Sequence, residues 1–136
     1  MTTGATPGAT TGNGYNGMGL ACIHADDLEP NDTRAGATDA TTFINGGGRW
    51  ASGTISPAGN DDWYKLTGVD LGGNVILLDS VRSLMDVYRN GTQVAADTQC
   101  YTTSAGAADW EIRVHVARLD YYSLDFNLPP GELVCP

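Results

Sequence analysis

The stretch that decides the fold is WEIRVHVARLDYYSLDFNL, which runs from Trp110 to Leu128. Apolar side chains occupy every second residue in two sets, which are Trp110, Ile112, Val114 and Val116, then Tyr122, Leu124, Phe126 and Leu128. Successive side chains of a β-strand point to opposite faces, so each set predicts a strand with one face in a core. Residues 117–120 separate the two strands, and we expect a long terminal hairpin.

The rest of the body is predicted to consist of shorter strands, at residues 51–55, 62–66, 74–79, 86–89 and 92–95. Asn90-Gly91 lies between the last two, and this dipeptide favours a two-residue hairpin turn because both positions need positive φ. No window longer than about ten residues has helical periodicity, and a turn of helix is expected only within residues 32–41. About seven short strands predict an all-β domain of two packed sheets.

Composition narrows the range of partners. The chain has 136 residues, a net charge of −9 and only 7 Lys and Arg, so it lacks the basic footprint that nucleic-acid binding needs. No apolar run approaches the ~20 residues of a membrane helix. Residues 1–21 also lack the basic start and apolar run of a signal peptide. We therefore expect one domain with neither nucleic acid nor a membrane as partner.

Residues 1–21 form an arm made mostly of Gly, Thr, Ala and Pro, with no charged side chain before Asp26. Such an arm cannot build a core of its own. Met18 and Leu20 alternate with glycine, as in a strand laid on a sheet. We predict that the arm precedes a sandwich domain at residues 22–136. We also predict that it pairs with a sheet of a neighbouring copy, which would give a homo-oligomer or a polymer in the form of a filament or a surface layer.

Four landmarks occur in order along the domain. They are Glu29-Pro30-Asn31-Asp32-Thr33, then Gly53-Thr54-Ile55 with Asp62-Trp63-Tyr64-Lys65-Leu66, then Leu84-Met85-Asp86-Val87-Tyr88 with Asn90-Gly91-Thr92, and Ile112-Arg113-Val114 with Tyr122-Ser123-Leu124. Over residues 22–128 the chain resembles the bacterial pre-peptidase C-terminal (PPC) domains. The resemblance implies a jelly-roll-like antiparallel β-sandwich without catalytic residues, on an extracellular or cell-surface protein.

The resemblance also implies a calcium site, because some members of this family bind calcium where two acidic segments meet. The matching positions are Glu29, Asn31 and Asp32 in the first segment and Asn60 and Asp62 in the second. Calcium takes six to eight oxygen ligands, which these side chains offer. Asn60 stands where the motif has an aspartate, so this ligand is neutral. The alternative is that these groups only cap turns or face solvent.

Three cysteines, Cys22, Cys100 and Cys135, occur without a CxxC pair, which excludes zinc-ribbon and haem-attachment sites. An odd number leaves one thiol free or bonded to another chain. Because the two ends of the family's sandwich emerge close together, the resemblance implies a Cys22–Cys135 disulfide.

Neither histidine lies in a catalytic motif, so His24 and His115 are predicted to be surface residues of a protein that is not an enzyme. Trp110 belongs to the core by alternation. Trp50 and Trp63 are candidates for stacking on a sugar ring. The alternative function is therefore a module that binds a polysaccharide or an extracellular protein such as collagen, as relatives of this family do.

Overall fold

The computed structural model describes residues 22–24, 31–55, 61–116, 120–129 and 135, which form two packed five-stranded sheets and one short helix. Sheet one contains, in spatial order, β2 (Thr38–Asp39), β4 (Asp62–Asp70), β9 (Ala107–His115), β6 (Leu84–Arg89) and β7 (Thr92–Thr98). Sheet two contains β1 (Cys22–His24), β3 (Trp50–Ile55), β10 (Asp120–Leu128), β5 (Val75–Ser80) and β8 (Cys100–Thr102). The predicted all-β sandwich is confirmed.

The strand order is that of a jelly roll. The eight strands β3 to β10 are shared as β3-β10-β5-β8 and β4-β9-β6-β7, and every pair among them is antiparallel. Two short strands depart from the antiparallel prediction, since β1 pairs parallel with β3 and β2 pairs parallel with β4. Both lie at sheet edges, so the antiparallel body is undisturbed.

The predicted terminal hairpin is wrong. β9 and β10 have the expected alternation, but β9 lies between β4 and β6 in sheet one, whereas β10 lies between β3 and β5 in sheet two. The alternation of apolar residues determines which face of a strand is buried, but it does not determine which strand pairs with it. The two apolar faces meet across the core instead of lying side by side.

The core fills the space between the sheets. It contains Ala51, Ile55, Tyr64, Leu66, Ile76, Leu78, Met85, Val87, Trp110, Ile112, Val114, Tyr122, Leu124 and Phe126, all at most 4% exposed. The indole Nε1 of Trp110 donates to the Val69 carbonyl at 3.1 Å, so the one polar group of this ring is satisfied. The core positions of Trp110 and Tyr122 that alternation predicted are confirmed.

The hairpin turn at Asn90-Gly91 and the single helix can be compared with the predicted turns. Asn90 and Gly91 have φ of 51° and 82° between β6 and β7, which confirms the predicted hairpin turn. The helix, α1 (Thr41–Asn45), begins where the predicted helical turn was to end. Its start is fixed by Asp39, whose Oδ1 accepts from the Thr41 backbone N–H at 3.0 Å and from the Thr41 hydroxyl.

The predicted Cys22–Cys135 disulfide is wrong, because Cys135 bonds Cys100 with the two Cα atoms 5.5 Å apart. Cys100 begins β8, at one edge of sheet two, whereas Cys22 begins β1, at the opposite edge. Three strands lie between these two edge strands, so four inter-strand spacings of about 4.8 Å separate them by about 19 Å. That span exceeds the Cα separation of about 7 Å that one disulfide can bridge.

No helix among the described residues is both long enough and apolar enough to cross a membrane. The arm, with Met18 and Leu20, lies outside the described residues, as do the candidate calcium ligands Glu29 and Asn60.

Candidate functional site

The two segments of the candidate calcium site meet at the start of β4. The backbone N–H of Trp63 donates to the carbonyl of Asn31 at 2.9 Å, which joins the segment before β2 to β4. Asn31 and Asp62 are both fully buried, whereas Asp32 is exposed. The side-chain amide of Asn31 donates to the Thr38 hydroxyl at 3.2 Å. The structure therefore joins the Asn31 backbone to Trp63, the neighbour of Asp62 in β4, and leaves Asp32 at the surface.

A chain of hydrogen bonds crosses the core from Asp62. The Tyr122 hydroxyl donates to the Asp62 carboxylate at 2.5 Å and lies 2.5 Å from the Tyr64 hydroxyl. Burial raises the pKa of the Tyr122 phenol, and Tyr64 and Asp62 raise it further, so this group stays protonated and donates. Gly53 makes room for the ring, since a Cβ there would lie 2.6 Å from the Tyr122 hydroxyl oxygen. The network ties β4 of sheet one to β10 of sheet two.

The donor set at this junction fits calcium by chemistry, because carboxylate and amide oxygens are the hard ligands that calcium prefers. Asp62 also has a structural role, because its carboxylate accepts the hydrogen bond of the buried Tyr122 hydroxyl. Calcium binding here stays a prediction.

The outer face of sheet one has a second polar cluster. Asp86 of β6, Asp97 of β7 and His115 of β9 each offer one ligand atom, and these atoms lie within 4.8 Å of one another. His115 Nε2 is 3.3 Å from Asp86 Oδ1 and 3.2 Å from Asp97 Oδ1. The Asp86 side chain is only 7% exposed. This group could hold a metal ion.

Asp86 is held in place from two sides. The backbone N–H of Asp97 donates to Asp86 Oδ1 at 2.9 Å, and Arg113 Nη1 lies 3.4 Å from Asp86 Oδ2. Arg113 itself is paired with Asp61 at 2.7 Å. Asp97 has a positive φ of 50°, next to irregular pairing between β6 and β7. That irregularity turns the Asp97 carboxylate towards His115.

Trp63 lies on the same outer face but is not an open platform. Its ring stacks on Tyr88 with centroids 5.7 Å apart, and the guanidinium groups of Arg34 and Arg113 lie 5.7 and 5.9 Å from its centroid. Glu111 holds Arg34 through two hydrogen bonds, at 2.9 and 2.6 Å. Sugar stacking on Trp63 stays a prediction, and it would require these cations to move.

The outer face of sheet two presents the more exposed rings. Trp50 of β3 is 38% exposed and Tyr121 of β10 is 70% exposed. Arg49 lies over the Trp50 ring at 5.0 Å and pairs with the buried Asp125 at 2.5 Å. One face of Trp50 is therefore occupied, while Tyr121 remains available.

Asp120 fixes the loop between β5 and β6. Its carboxylate accepts from the hydroxyls of Ser80 and Ser83 and from the backbone N–H groups of Arg82 and Ser83. Burial raises the pKa of this carboxyl, but the hydrogen bonds together outweigh burial and lower the pKa from 3.8 to about 2. The bonds therefore favour the charged form in the folded protein.

This lowered pKa predicts a loss of stability in acid. Because the carboxyl binds protons more weakly when folded, its contribution is complete above the unfolded pKa of 3.8 and is lost as the pH falls through about 2. Asp120→Asn should be less stable than the parent protein at pH 7, and the difference should shrink between pH 4 and pH 2. Urea unfolding at a series of pH values measures this. The exposed Asp79→Asn is the control, and an equal pH dependence in both variants would contradict the assignment.

No protein-family model and no curated protein matches the chain. The resemblance to the PPC domains therefore rests on the sequence motifs alone.

Sequence reasoning missed the Asp86–Asp97–His115 cluster. It put His115 on the outer face of a strand, which is correct, but as an ordinary surface residue. The His115 side chain is 19% exposed and contacts two carboxylates. Asp86 could have indicated the cluster, since it is an acid between the apolar residues Met85 and Val87. Nothing in the sequence around Asp97 indicated the cluster, because the position of Asp97 depends on the irregular pairing of β7 with β6.

Proposed function

We propose that this chain is a non-catalytic structural subunit of an extracellular assembly, whose copies are joined by addition of the N-terminal arm to a sheet edge. The observation that carries the proposal is the edge of sheet one at β7. β7 has seven residues, and five of them are exposed. The other edges of the described sandwich, at β1, β2 and β8, have three, two and three residues.

Long unpaired edges are normally protected, because their free N–H and C=O groups can template another strand. Common protections are lysine, proline and shortness. β7, with the sequence Thr-Gln-Val-Ala-Ala-Asp-Thr, has neither lysine nor proline and carries one charge, Asp97. Val94 adds an exposed apolar side chain, at 39%. These features favour an edge that accepts a strand.

The arm suits the donor role. The edge of β3 is already covered by β1, which follows the arm directly in sequence, so an incoming strand needs a different edge. Fully extended, 21 residues span roughly 70 Å, so reach is no obstacle. Main-chain hydrogen bonds would supply affinity, with Met18 and Leu20 setting the register.

Other observations support the remaining parts of the proposal. The Cys100–Cys135 disulfide suits an oxidising compartment outside the cytosol. His115 bonds two carboxylates, whereas a general base for nucleophilic catalysis would contact a hydroxyl or a thiol. Calcium at Asn31 and Asp62 belongs to the proposal as a stabilising ligand.

A charge at the centre of β7 tests the proposal. Val94→Lys should leave the fold intact and convert assemblies of the full chain into monomers, because a lysine on an edge opposes strand addition. Val81→Lys is the matched control, since Val81 is 88% exposed in the loop after β5. Light scattering after size exclusion, with negative-stain imaging, measures the result. A parent protein that is monomeric at every concentration, or a Val94→Lys variant that still assembles, would reject the proposal.

A second candidate is a polysaccharide-binding module that uses the outer face of sheet two. The exposure of Trp50 and Tyr121 on β3 and β10 favours it. Monomeric protein whose migration is retarded in a polysaccharide-containing gel, with the retardation lost in Tyr121→Ala, would support this function over assembly.

A further inference from the structure

The Asp86–Asp97–His115 cluster has a donor set that neither the strand-addition function nor the calcium prediction uses. It joins three adjacent strands, with Asp86 on β6, Asp97 on β7 and His115 on β9. β7 is the edge strand and pairs irregularly with β6. A ligand bound by all three side chains would therefore fasten the edge to the middle of the sheet.

The distances within the cluster exceed those of strong hydrogen bonds. Charge-assisted N–H···O bonds are about 2.7–2.9 Å long, whereas His115 Nε2 lies 3.3 and 3.2 Å from the two carboxylate oxygens. A tetrahedral ion with ligand bonds of about 2.0–2.1 Å separates its ligand atoms by about 3.3 Å. The nitrogen is therefore at the separation from both oxygens that a shared metal ion would set.

The surroundings also resemble those of metal sites. Ligating carboxylates are usually hydrogen-bonded by groups outside the site, and Asp86 accepts from the Asp97 N–H and lies beside Arg113. Asp61 pairs with Arg113 and offsets its charge. The two ligand carboxylates then carry a net charge of −2, which a divalent cation neutralises.

We propose that Asp86, Asp97 and His115 form a site for a divalent transition-type cation such as Zn²⁺, with three protein ligands and one position open to water. The imidazole nitrogen decides the class of ion, because imidazole suits zinc, copper and nickel, whereas calcium and magnesium prefer oxygen ligands alone. The bound ion fixes the irregular segment of β7 and stabilises the folded protein by mass action. The three ligands belong to one chain, so zinc binding does not require the proposed assembly, although Asp97 lies on the same edge strand.

Zinc titration of the metal-stripped full chain tests the proposal. Calorimetry should detect one zinc ion per chain, and zinc should raise the melting temperature of the parent protein much more than that of Asp97→Asn. Asp97→Asn should weaken zinc binding by at least about tenfold, the loss seen when even an outer group of a metal site is removed. Asparagine tolerates the positive φ at this position, so this variant should keep the fold. His115→Gln should behave in the same way.

Two control variants separate this site from others. Asp79→Asn changes an exposed acid on the other sheet, and His24→Gln removes the other histidine of the chain. Both should bind zinc as the parent protein does. Cobalt in place of zinc gives a direct signature, since its visible absorption should be that of a low-coordinate ion and should disappear in Asp97→Asn. The proposal is overturned if the parent protein binds no zinc, or if Asp97→Asn and His115→Gln bind it unchanged.

Discussion

Alanine at Trp110 is expected to lower the free energy of unfolding by about 3–5 kcal/mol, the range for large aromatic side chains removed from a core. Trp110 is fully buried between the sheets, where Tyr101 lies 6.4 Å and the Arg89 guanidinium 5.6 Å from its ring centroid. The substitution leaves a cavity among these neighbours. It also removes the hydrogen bond to the Val69 carbonyl, which is then buried without its donor.

Trp50→Ala is the matched control, because Trp50 is 38% exposed on the outer face of sheet two. Its loss of stability should stay within about 1 kcal/mol. Urea unfolding followed by circular dichroism compares both variants without relying on tryptophan fluorescence. Equal losses for the two variants would show that Trp110 is not the centre of the core.

Removal of the Cys100–Cys135 disulfide is expected to lower the free energy of unfolding by about 4 kcal/mol in the chain-entropy account. The bond closes a loop of 35 residues in sequence separation, and that loop includes all of β9 and β10. Without the bond, the unfolded chain gains conformations that the disulfide excluded. The double variant Cys100→Ser, Cys135→Ser measures the effect in urea.

Cys22→Ser is the control for the double variant. It should leave the free energy of unfolding nearly unchanged, because Cys22 is outside the bond between the other two cysteines. Peptide mapping under non-reducing conditions checks the pairing itself. A Cys22–Cys135 peptide, or a double variant that loses no more stability than Cys22→Ser, would contradict the structure.

The fold could be predicted from sequence as far as local patterns reach. Alternation at residues 110–116 and 122–128 gave the correct buried faces, and Asn90-Gly91 gave the correct turn. Pairing partners were not accessible in this way, since β9 and β10 pair with strands distant in sequence. The disulfide was misassigned because the resemblance implied that the two ends of the sandwich emerge close together, whereas Cys22 and Cys100 lie on opposite edges of sheet two. Its pairing depends on which edge of sheet two each cysteine occupies, and alternation does not specify the order of strands.

Of the two candidate metal sites, one was predicted in part from the sequence and the other was not. The family resemblance implied that the segments of Asn31 and Asp62 meet, and the Asn31–Trp63 backbone hydrogen bond joins them. The cluster around His115 could not be predicted, because Asp97 reaches it through the irregular β6–β7 pairing. A one-residue change of register would turn Asp97 to the other face of the sheet.

Hydrogen exchange at β7 is the most direct test of assembly by strand addition. Arg89 and Thr92 are the paired residues that close the two-residue turn, so the Thr92 N–H points towards β6. Successive N–H groups of a strand point in opposite directions, and the Gln93 N–H therefore points away from β6, where another strand can accept its hydrogen bond. In the full chain, exchange at the outward-pointing amides of residues 92–98 should slow as protein concentration rises. In a variant lacking residues 1–20, exchange should be fast at every concentration. Protection that is independent of concentration, or that persists without the arm, would contradict addition of the arm between molecules at this edge.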